Sequence, residues 1–299
     1  MTRRFPASAR LSLDELYRGF EGRHDIADPI QRVRSFTDPR DREIVGLCAA
    51  ALAFGRVASV LQSIDALLAV MGSSPAHFVR CFEPTAHRDT IGTMTHRWVR
   101  GPDILALVWI IRQMLERCGS VERFFSQGYQ PDAEDVGEAL ESFSMRALAF
   151  NLDPVYGRRR RRGVTFFFPR PSKGSACKRL NLYLRWMVRR DQLDLGVWTA
   201  VSPAQLVVPL DTHIIRVGQC LRLTRYRSPG WAMAREITET LRRLDPVDPV
   251  KYDFSLCHLS MMNQCGFTES HGDGRCPLRG WCRPAPRRRR PSRRPSGRR

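Results

Sequence analysis

Val57-Ala58-Ser59-Val60-Leu61-Gln62-Ser63-Ile64-Asp65-Ala66-Leu67-Leu68-Ala69-Val70-Met71-Gly72 sets the period of this chain. Val57, Val60, Leu61, Ile64, Leu67, Leu68 and Met71 recur at i, i+3, i+4 and i+7, which lines one face of a helix and is incompatible with the two-residue alternation of a strand. Gly72 stands where such a helix ends. Outward from this stretch, residues 44–54 predict a second apolar helix with Asp41 near its start, and Gly55-Arg56 the joint between the two. Ile104, Leu105, Val108, Ile111, Met114 and Leu115 repeat the period, opened by Pro102-Asp103 and closed by Gly119. Further helices are predicted over residues 134–150, 176–190, 212–222, 231–244 and 250–262. Only residues 164–168, between Gly163 and Pro169, carry a strand signal. The expected fold is all-α, with eight to ten helices.

The chain has 299 residues, 42% of them hydrophobic, which is enough to bury a substantial core and too many for disorder throughout. No run approaches the roughly 18 apolar residues of a membrane span, so no membrane partner is expected. Met1-Thr2-Arg3-Arg4-Phe5-Pro6 is basic, but Asp14 and Glu15 interrupt the sequence before an apolar segment forms, and no secretory signal is expected. The nine cysteines, an odd number, read as reduced thiols of a cytoplasmic protein, some of them available to a metal.

The 49 Lys and Arg against 30 Asp and Glu leave a formal net charge of +19, and it is unevenly placed. Residues 283–299 hold nine Arg and no acid in a Pro/Ser/Arg composition that cannot build a core, so this tail is read as a disordered arm. Arg158, Arg159, Arg160, Arg161 and Arg162 form a second run inside residues 154–190, where twelve Lys and Arg occur without one Asp or Glu. The expected partner is nucleic acid, because each neutralised phosphate releases condensed counterions. Candidate contacts are those five arginines with Lys173, Arg179 and Arg185. The plainer reading is a solvated charge run.

Chemistry points to Val208-Pro209-Leu210-Asp211-Thr212-His213-Ile214-Ile215-Arg216-Val217. Pro209 disfavours helix at Val208, so Asp211 falls at the N-cap of the helix that follows. There its carboxylate accepts amide N–H bonds and faces the positive end of the helix dipole. An ordinary N-cap is the plain alternative.

This segment resembles the Val-Asp-Thr-His-Ile/Val-x-Arg-Val signature of the helix-hairpin-helix (HhH-GPD) DNA glycosylase superfamily, in which the Asp is catalytic. Tyr252-Asp253-Phe254-Ser255-Leu256-Cys257-His258 leads towards Cys265, Cys276 and Cys282. That is similar to the endonuclease III-like branch, whose helix enters a four-cysteine iron–sulfur loop. Ala53-Phe54-Gly55-Arg56-Val57, Gly174-Ser175-Ala176-Cys177-Lys178-Arg179-Leu180-Asn181 and Arg185-Trp186-Met187-Val188-Arg189 resemble a bacterial family of unassigned activity related to those glycosylases. The similarity covers roughly residues 11–282. It implies a single helical domain over residues 1–282, built as two interleaved subdomains with a cleft between them, followed by the tail at 283–299 and acting as a monomer.

The glycosylase hairpin Leu-Pro-Gly-Val-Gly-x-Lys is absent. Pro169-Arg170-Pro171-Ser172-Lys173-Gly174-Ser175-Ala176-Cys177-Lys178 stands in its place, with Lys178 lying 33 residues before Asp211. That spacing is similar to the archaeal 8-oxoguanine glycosylase branch, and the resemblance makes Lys178 the nucleophile, Lys173 its fallback and Asp211 its partner. Lys178 as one more phosphate-binding cation is the alternative. Arg56 resembles the residue that fills the gap left by a flipped base, and Phe54, Trp98 and Trp186 are candidates for the base pocket, with ordinary core as their alternative. His96-Arg97-Trp98 suggests a packed turn that could touch nucleic acid.

Cys265, Cys276 and Cys282 supply three thiolates for an iron–sulfur cluster or a zinc ion, or for a site that has decayed, since the glycosylase pattern would place a Cys where Asp273 stands. Cys257, His258, His271 and Asp273 are the candidate fourth ligands. Cys48, Cys81, Cys118, Cys177 and Cys220 are expected to be buried thiols, with Cys177 the one to watch for reactivity. The expected function is a DNA repair glycosylase with lyase activity. The alternatives are a non-catalytic DNA- or RNA-binding protein on the same scaffold, and a metal-dependent hydrolase using Asp211 and His213.

Overall fold

A computed structural model of the protein describes residues 7–23, 26–157, 163–261, 278 and 281. Among them thirteen α-helices follow one another, beginning with α1 (Ala7–Phe20), α2 (Ile30–Arg34), α3 (Pro39–Leu52), α4 (Val57–Met71) and α5 (Pro75–Arg80). Next come α6 (Gly101–Cys118), α7 (Val121–Ser126), α8 (Gly137–Leu148) and α9 (Asp153–Tyr156). The series ends with α10 (Lys178–Val188), α11 (Thr212–Cys220), α12 (Trp231–Arg242) and α13 (Asp253–Met261). The fold is all-α. Helices outnumber the expected eight to ten because α2, α5, α7 and α9 have only four to six residues, too few to display a period.

The strand signal at residues 164–168 forms no strand. Phe167 N–H bonds the Val164 carbonyl at 3.0 Å and Phe168 N–H that of Thr165 at 3.2 Å, closing 3-10 turns that bury both rings. A short apolar run without a partner strand satisfies its amides locally instead. The single sheet among the described residues is a hairpin of β1 (Thr95–His96) and β2 (Val99–Arg100), Thr95 facing Arg100 and His96 facing Val99.

Two helices are buried almost all round, α3 from Asp41 to Leu52 and α6 along most of its 18 residues. A helix apolar on every side belongs at the centre of a domain, and the shorter helices pack around these two. The acids of α3 cap their neighbours. Asp41 Oδ1 accepts from Ala76 N–H of α5 at 2.7 Å. Glu43 accepts from Val121 and Glu122 N–H of α7 at 3.0 and 2.7 Å, and from the Trp198 indole at 2.9 Å. Burial raises the Glu43 pKa, and these bonds oppose the rise. Gly46 lets α10 approach α3 closely, since a Cβ there would lie 2.8 Å from Met187 Cε and 3.2 Å from Tyr183 Cε2. Helices α11 and α13 form the second close pair, and the space between the two pairs is the cleft described next.

Candidate active site

A cleft of about 600 Å³ is lined by five separate parts of the chain. The end of α3 and the joint to α4 contribute Phe54 and Arg56, α10 contributes Lys178 and Arg185, the start of α11 contributes Asp211 and His213, and α13 contributes Asp253, Cys257 and His258. Asp28-Pro29 completes the wall.

Lys178 is the first residue of α10, and the residue before it is strained. Cys177 adopts φ +48°, a left-handed conformation that a side chain with a Cβ takes at a cost of about 1–2 kcal/mol. This bend aims the start of α10 at the cleft. The Lys178 ammonium donates to the Ala53 carbonyl at 3.1 Å, at the end of α3 where carbonyls lack helical partners. The neighbouring Cys177 thiol is buried, bonds the Ser175 carbonyl at 3.5 Å, and is pushed up to about 12 by burial. It is a packed thiol with little thiolate, contrary to the expectation of reactivity.

Asp211 caps α11 as the sequence predicts. Its Oδ1 accepts from His213 and Ile214 N–H at 2.9 and 2.7 Å. Its Oδ2 is turned away from the helix and accepts from the Cys257 thiol at 3.3 Å. Burial raises the Cys257 pKa well above its ordinary value; Asp211 and Asp253 add to this, and Lys178 opposes it, so all four groups sit within electrostatic reach of one another. His213 Nδ1 meets the Ser260 hydroxyl at 3.0 Å, tying α11 to α13.

Arg185 and Asp253 line the cleft and belong to a buried ion network that extends away from it. Arg185 donates from Nε to Asp194 at 3.2 Å and from Nη1 to Asp253 Oδ2 at 2.5 Å. Arg189 binds Asp191 and Asp248 at 2.8 Å each and also contacts Asp194. Burial opposes the Arg185 charge, but Asp194 and Asp253 outweigh it and raise its pKa. Burial lifts Asp253 to about 6, with Arg185 opposing and Asp211 adding to the rise. His258 donates from Nδ1 to the Phe254 carbonyl at 2.9 Å, and burial lowers its pKa, which leaves a neutral ring with its lone pair on Nε2.

Three expectations from sequence are corrected here. Arg185 is 3% exposed and bound to buried acids, so it is no surface phosphate contact. Arg179 is 8% exposed, donates to the Ala51 carbonyl at 3.1 Å and stacks 3.5 Å over the Phe166 ring. Burial draws its pKa down to about 10, still charged at neutral pH. Trp186 is fully buried and packs in the core, outside the cleft. The helical turn explains two of them: residues seven apart on α10 share a face, so Lys178 and Arg185 line the cleft while Arg179 and Trp186 enter the core, and Arg185 is withdrawn from phosphate by the buried acids it binds.

Rim residues are distributed differently. Phe54 lines the cleft, and its ring meets His96, Trp98 and Phe166 at 4.5, 4.9 and 4.9 Å between centroids. Trp98 lies at the tip of the β1–β2 hairpin, 55% exposed, with the Arg97 guanidinium 4.7 Å over its ring. His96 is buried and fastened, Nε2 donating to the Phe54 carbonyl at 3.1 Å and Nδ1 meeting the Ser63 hydroxyl at 2.8 Å. Gly55, at φ +107°, leaves room for Arg97: a Cβ there would lie 2.9 Å from Arg97 Cδ. Arg56 is exposed on the cleft wall. Lys173 is exposed on the turn before α10 and does not line the cleft, so Lys178 is the lysine that faces Asp211's cleft.

Arg158 to Arg162, Cys265, Cys276, Cys282, His271, Asp273 and the tail lie outside the described residues. Among the described residues, no three His, Cys, Asp or Glu side chains gather in a metal-holding group. Two of the candidate fourth ligands are described, and both have protein partners, Cys257 on Asp211 and His258 on Phe254. Of the cysteines expected to be buried, Cys48 and Cys177 are, Cys118 and Cys220 are half-buried, and Cys81 is exposed. Sequence reasoning overlooked Asp28, Asp253 and Phe166 as site residues. Asp253 stood within a quoted stretch, but its inward direction depends on the pairing of α13 with α11, which brings it to Arg185 of α10.

No helix among the described residues is long and apolar enough to cross a membrane. No curated protein and no solved structure matches the chain. A family model does match, over residues 28–262, which include every residue lining the cleft except Ala27, and the chain belongs to that family, described as a protein of unknown function (DUF2400).

Proposed function

We propose that this protein is a DNA glycosylase with abasic-site lyase activity, built as a helix-hairpin-helix type pair of helical subdomains around the cleft. One observation carries the reading. Lys178 and Asp211, 33 residues apart and on different helices, line one cleft whose volume suits a single small-molecule-sized group. Exposed Arg56, Arg97 and Trp98 stand at or beside that cleft, cations and an aromatic face suited to phosphate and to an unstacked base.

In this mechanism a nucleotide is extruded from the duplex into the cleft. Lys178 Nζ, its ammonium having first given a proton to solvent, attacks the sugar C1′, forming a C–N bond as the bond from C1′ to the base breaks, and the base leaves with that electron pair and takes up a proton from solvent. The Asp211 carboxylate stabilises the positive charge that develops on the sugar. Ring opening gives a Schiff base between Nζ and C1′. Loss of a C2′ proton then expels the 3′ phosphate oxygen and nicks the strand. Phe54 and the cleft wall exclude water, and the +19 charge of the chain grips the backbone in a salt-dependent way. No step uses an iron–sulfur cluster or zinc.

The second reading is a DNA- or RNA-binding protein without catalysis, favoured by the bond of the Lys178 ammonium to the Ala53 carbonyl, which occupies the amine. Borohydride reduction of the full chain with oligonucleotides carrying abasic sites and varied lesions separates the two. A covalent adduct that disappears in Lys178→Ala supports the enzyme. Salt-sensitive binding with neither adduct nor base release across the panel replaces it with the binding protein.

A further inference from the structure

Two buried polar atoms in the floor of the cleft have no partner among the described residues, Nη2 of Arg185 and Oδ1 of Asp253. One is a donor and the other an acceptor, and they belong to one ion pair, because Arg185 Nη1 donates to Asp253 Oδ2 at 2.5 Å. Arg185 is 3% exposed, and Asp253 is equally buried. Buried polar groups are ordinarily bonded, so an adjacent orphaned donor and acceptor that line the same cleft call for a third party.

Three polar side chains near them are engaged. Lys178 donates to Ala53, Cys257 donates to Asp211, and Asp211 Oδ1 holds two amides. Among the described residues, Arg185 Nη2 and Asp253 Oδ1 are thus an unpaired donor and an unpaired acceptor within one buried ion pair, which Asp194 anchors from behind. The group that completes such a pair presents an acceptor beside a donor.

We propose that Arg185 and Asp253 form the base-recognition element of this cleft. They take a neutral nucleobase through an intact lactam edge, with Arg185 Nη2 donating to the base carbonyl and Asp253 Oδ1 accepting the adjacent ring N–H. This rests on the glycosylase reading and adds its substrate class. Arg185 and Asp253 are specificity residues, apart from the bond-breaking pair Lys178 and Asp211. Cleft-bound water could satisfy the same two atoms, and it would do so without discriminating between bases.

The test uses the full chain and nucleosides whose glycosidic nitrogen is already occupied. Saturation-transfer NMR titrations compare 2′-deoxyuridine with 3-methyl-2′-deoxyuridine, and 2′-deoxyinosine with 1-methyl-2′-deoxyinosine. Losing one of these hydrogen bonds while leaving a buried group unpaired should weaken binding about 10-fold or more. Each parent nucleoside is expected to bind and its N-methylated twin to bind at least about that much more weakly. Asp253→Asn keeps the amide oxygen on Arg185 and turns an NH2 into the cleft, replacing the acceptor with a donor. That variant, shown folded by its thermal transition, is expected to lose the preference for the parent nucleosides. Equal binding of parent and methylated nucleosides, no binding of either, or an unchanged preference in Asp253→Asn overturns the proposal. Failure of the glycosylase reading shows separately. A borohydride adduct on an abasic strand with no nucleoside discrimination overturns the edge recognition alone, and discrimination without an adduct overturns the Lys178 chemistry alone.

Discussion

Asp211 performs two jobs in the proposed mechanism, and one substitution separates them. In Asp211→Asn the side-chain oxygen can still accept from His213 and Ile214 N–H, the contacts now made at 2.9 and 2.7 Å. Asn caps a helix about as well as Asp, so the remaining stability loss is the charge–dipole part, about 0.3–1 kcal/mol. Asp211→Ala removes the cap, for about 0.5–2 kcal/mol, and also deprives the Cys257 thiol of its acceptor. The catalytic role makes a different demand. A charge aimed at a developing oxocarbenium-like sugar is worth about 10²–10³ in rate, and Asn supplies none of it. Denaturant unfolding at pH 7 should therefore rank wild type, Asn and Ala in that order, with Asn within about 1 kcal/mol of wild type. Single-turnover base release or borohydride trapping should place Asn with Ala, both down by about 100-fold or more. An Asn variant that keeps the wild-type rate, or one whose rate loss merely follows its loss of folded protein, would refute the reasoning and leave Asp211 a simple cap.

Asp253 gives a pH prediction. Its pKa rises from the ordinary 3.8 to about 6 in the fold, so the folded state holds a proton that the unfolded state has released. This contribution is fully present below about pH 3.8 and fades as pH rises through about 6, at most about 3 kcal/mol in all. Between pH 5 and 7 the wild type should lose stability with a slope that Asp253→Asn lacks, as denaturant titrations at several pH values will show; parallel slopes would contradict it. Trp98 and Trp186 should behave oppositely. Trp98→Ala, at a residue 55% exposed, should weaken DNA binding with its salt slope and the melting temperature little changed, whereas Trp186→Ala should cost about 3–5 kcal/mol of stability. In native-state thiol labelling followed by peptide mass analysis, exposed Cys81 should react first among the cysteines of the described residues, while Cys48 and Cys177, both pushed up to about 12 by burial, should stay unlabelled until the chain unfolds.

Local signals carried far into this protein. Residues 57–71 form a helix with the bounds their period predicts, and the Gly101–Cys118 helix begins at its Pro102-Asp103 signal and ends before Gly119, which takes the left-handed conformation at φ 82°. Asp211 caps α11 because capping depends only on a side chain reaching amides two and three residues on. These properties are decided within one or two turns of chain, so the sequence by itself determined them.

Direction was decided elsewhere. Lys178 and Arg179 are adjacent cations with the same charge, yet one faces the cleft and the other lies under Phe166 and the end of α3. Trp98 and Trp186 are the same residue type, one at an exposed hairpin tip and the other in the core. Charge and hydrophobicity cannot sort such pairs, because each outcome depends on which neighbour offers a carbonyl, a ring or an acid. Asp194, Asp248 and Asp253 lie 5 to 68 residues from the arginines they bind. That separation is why the acid-free stretch looked like a phosphate-binding surface. Asp191 and Asp194 follow that stretch directly, yet counting along the chain does not show that they fold back onto Arg185 and Arg189; the 191–195 turn and the packing of α13 bring the acids to them. The helical period and the cap belonged to the sequence, and the counter-ions, which settle whether an arginine meets solvent or the core, belonged to the tertiary structure.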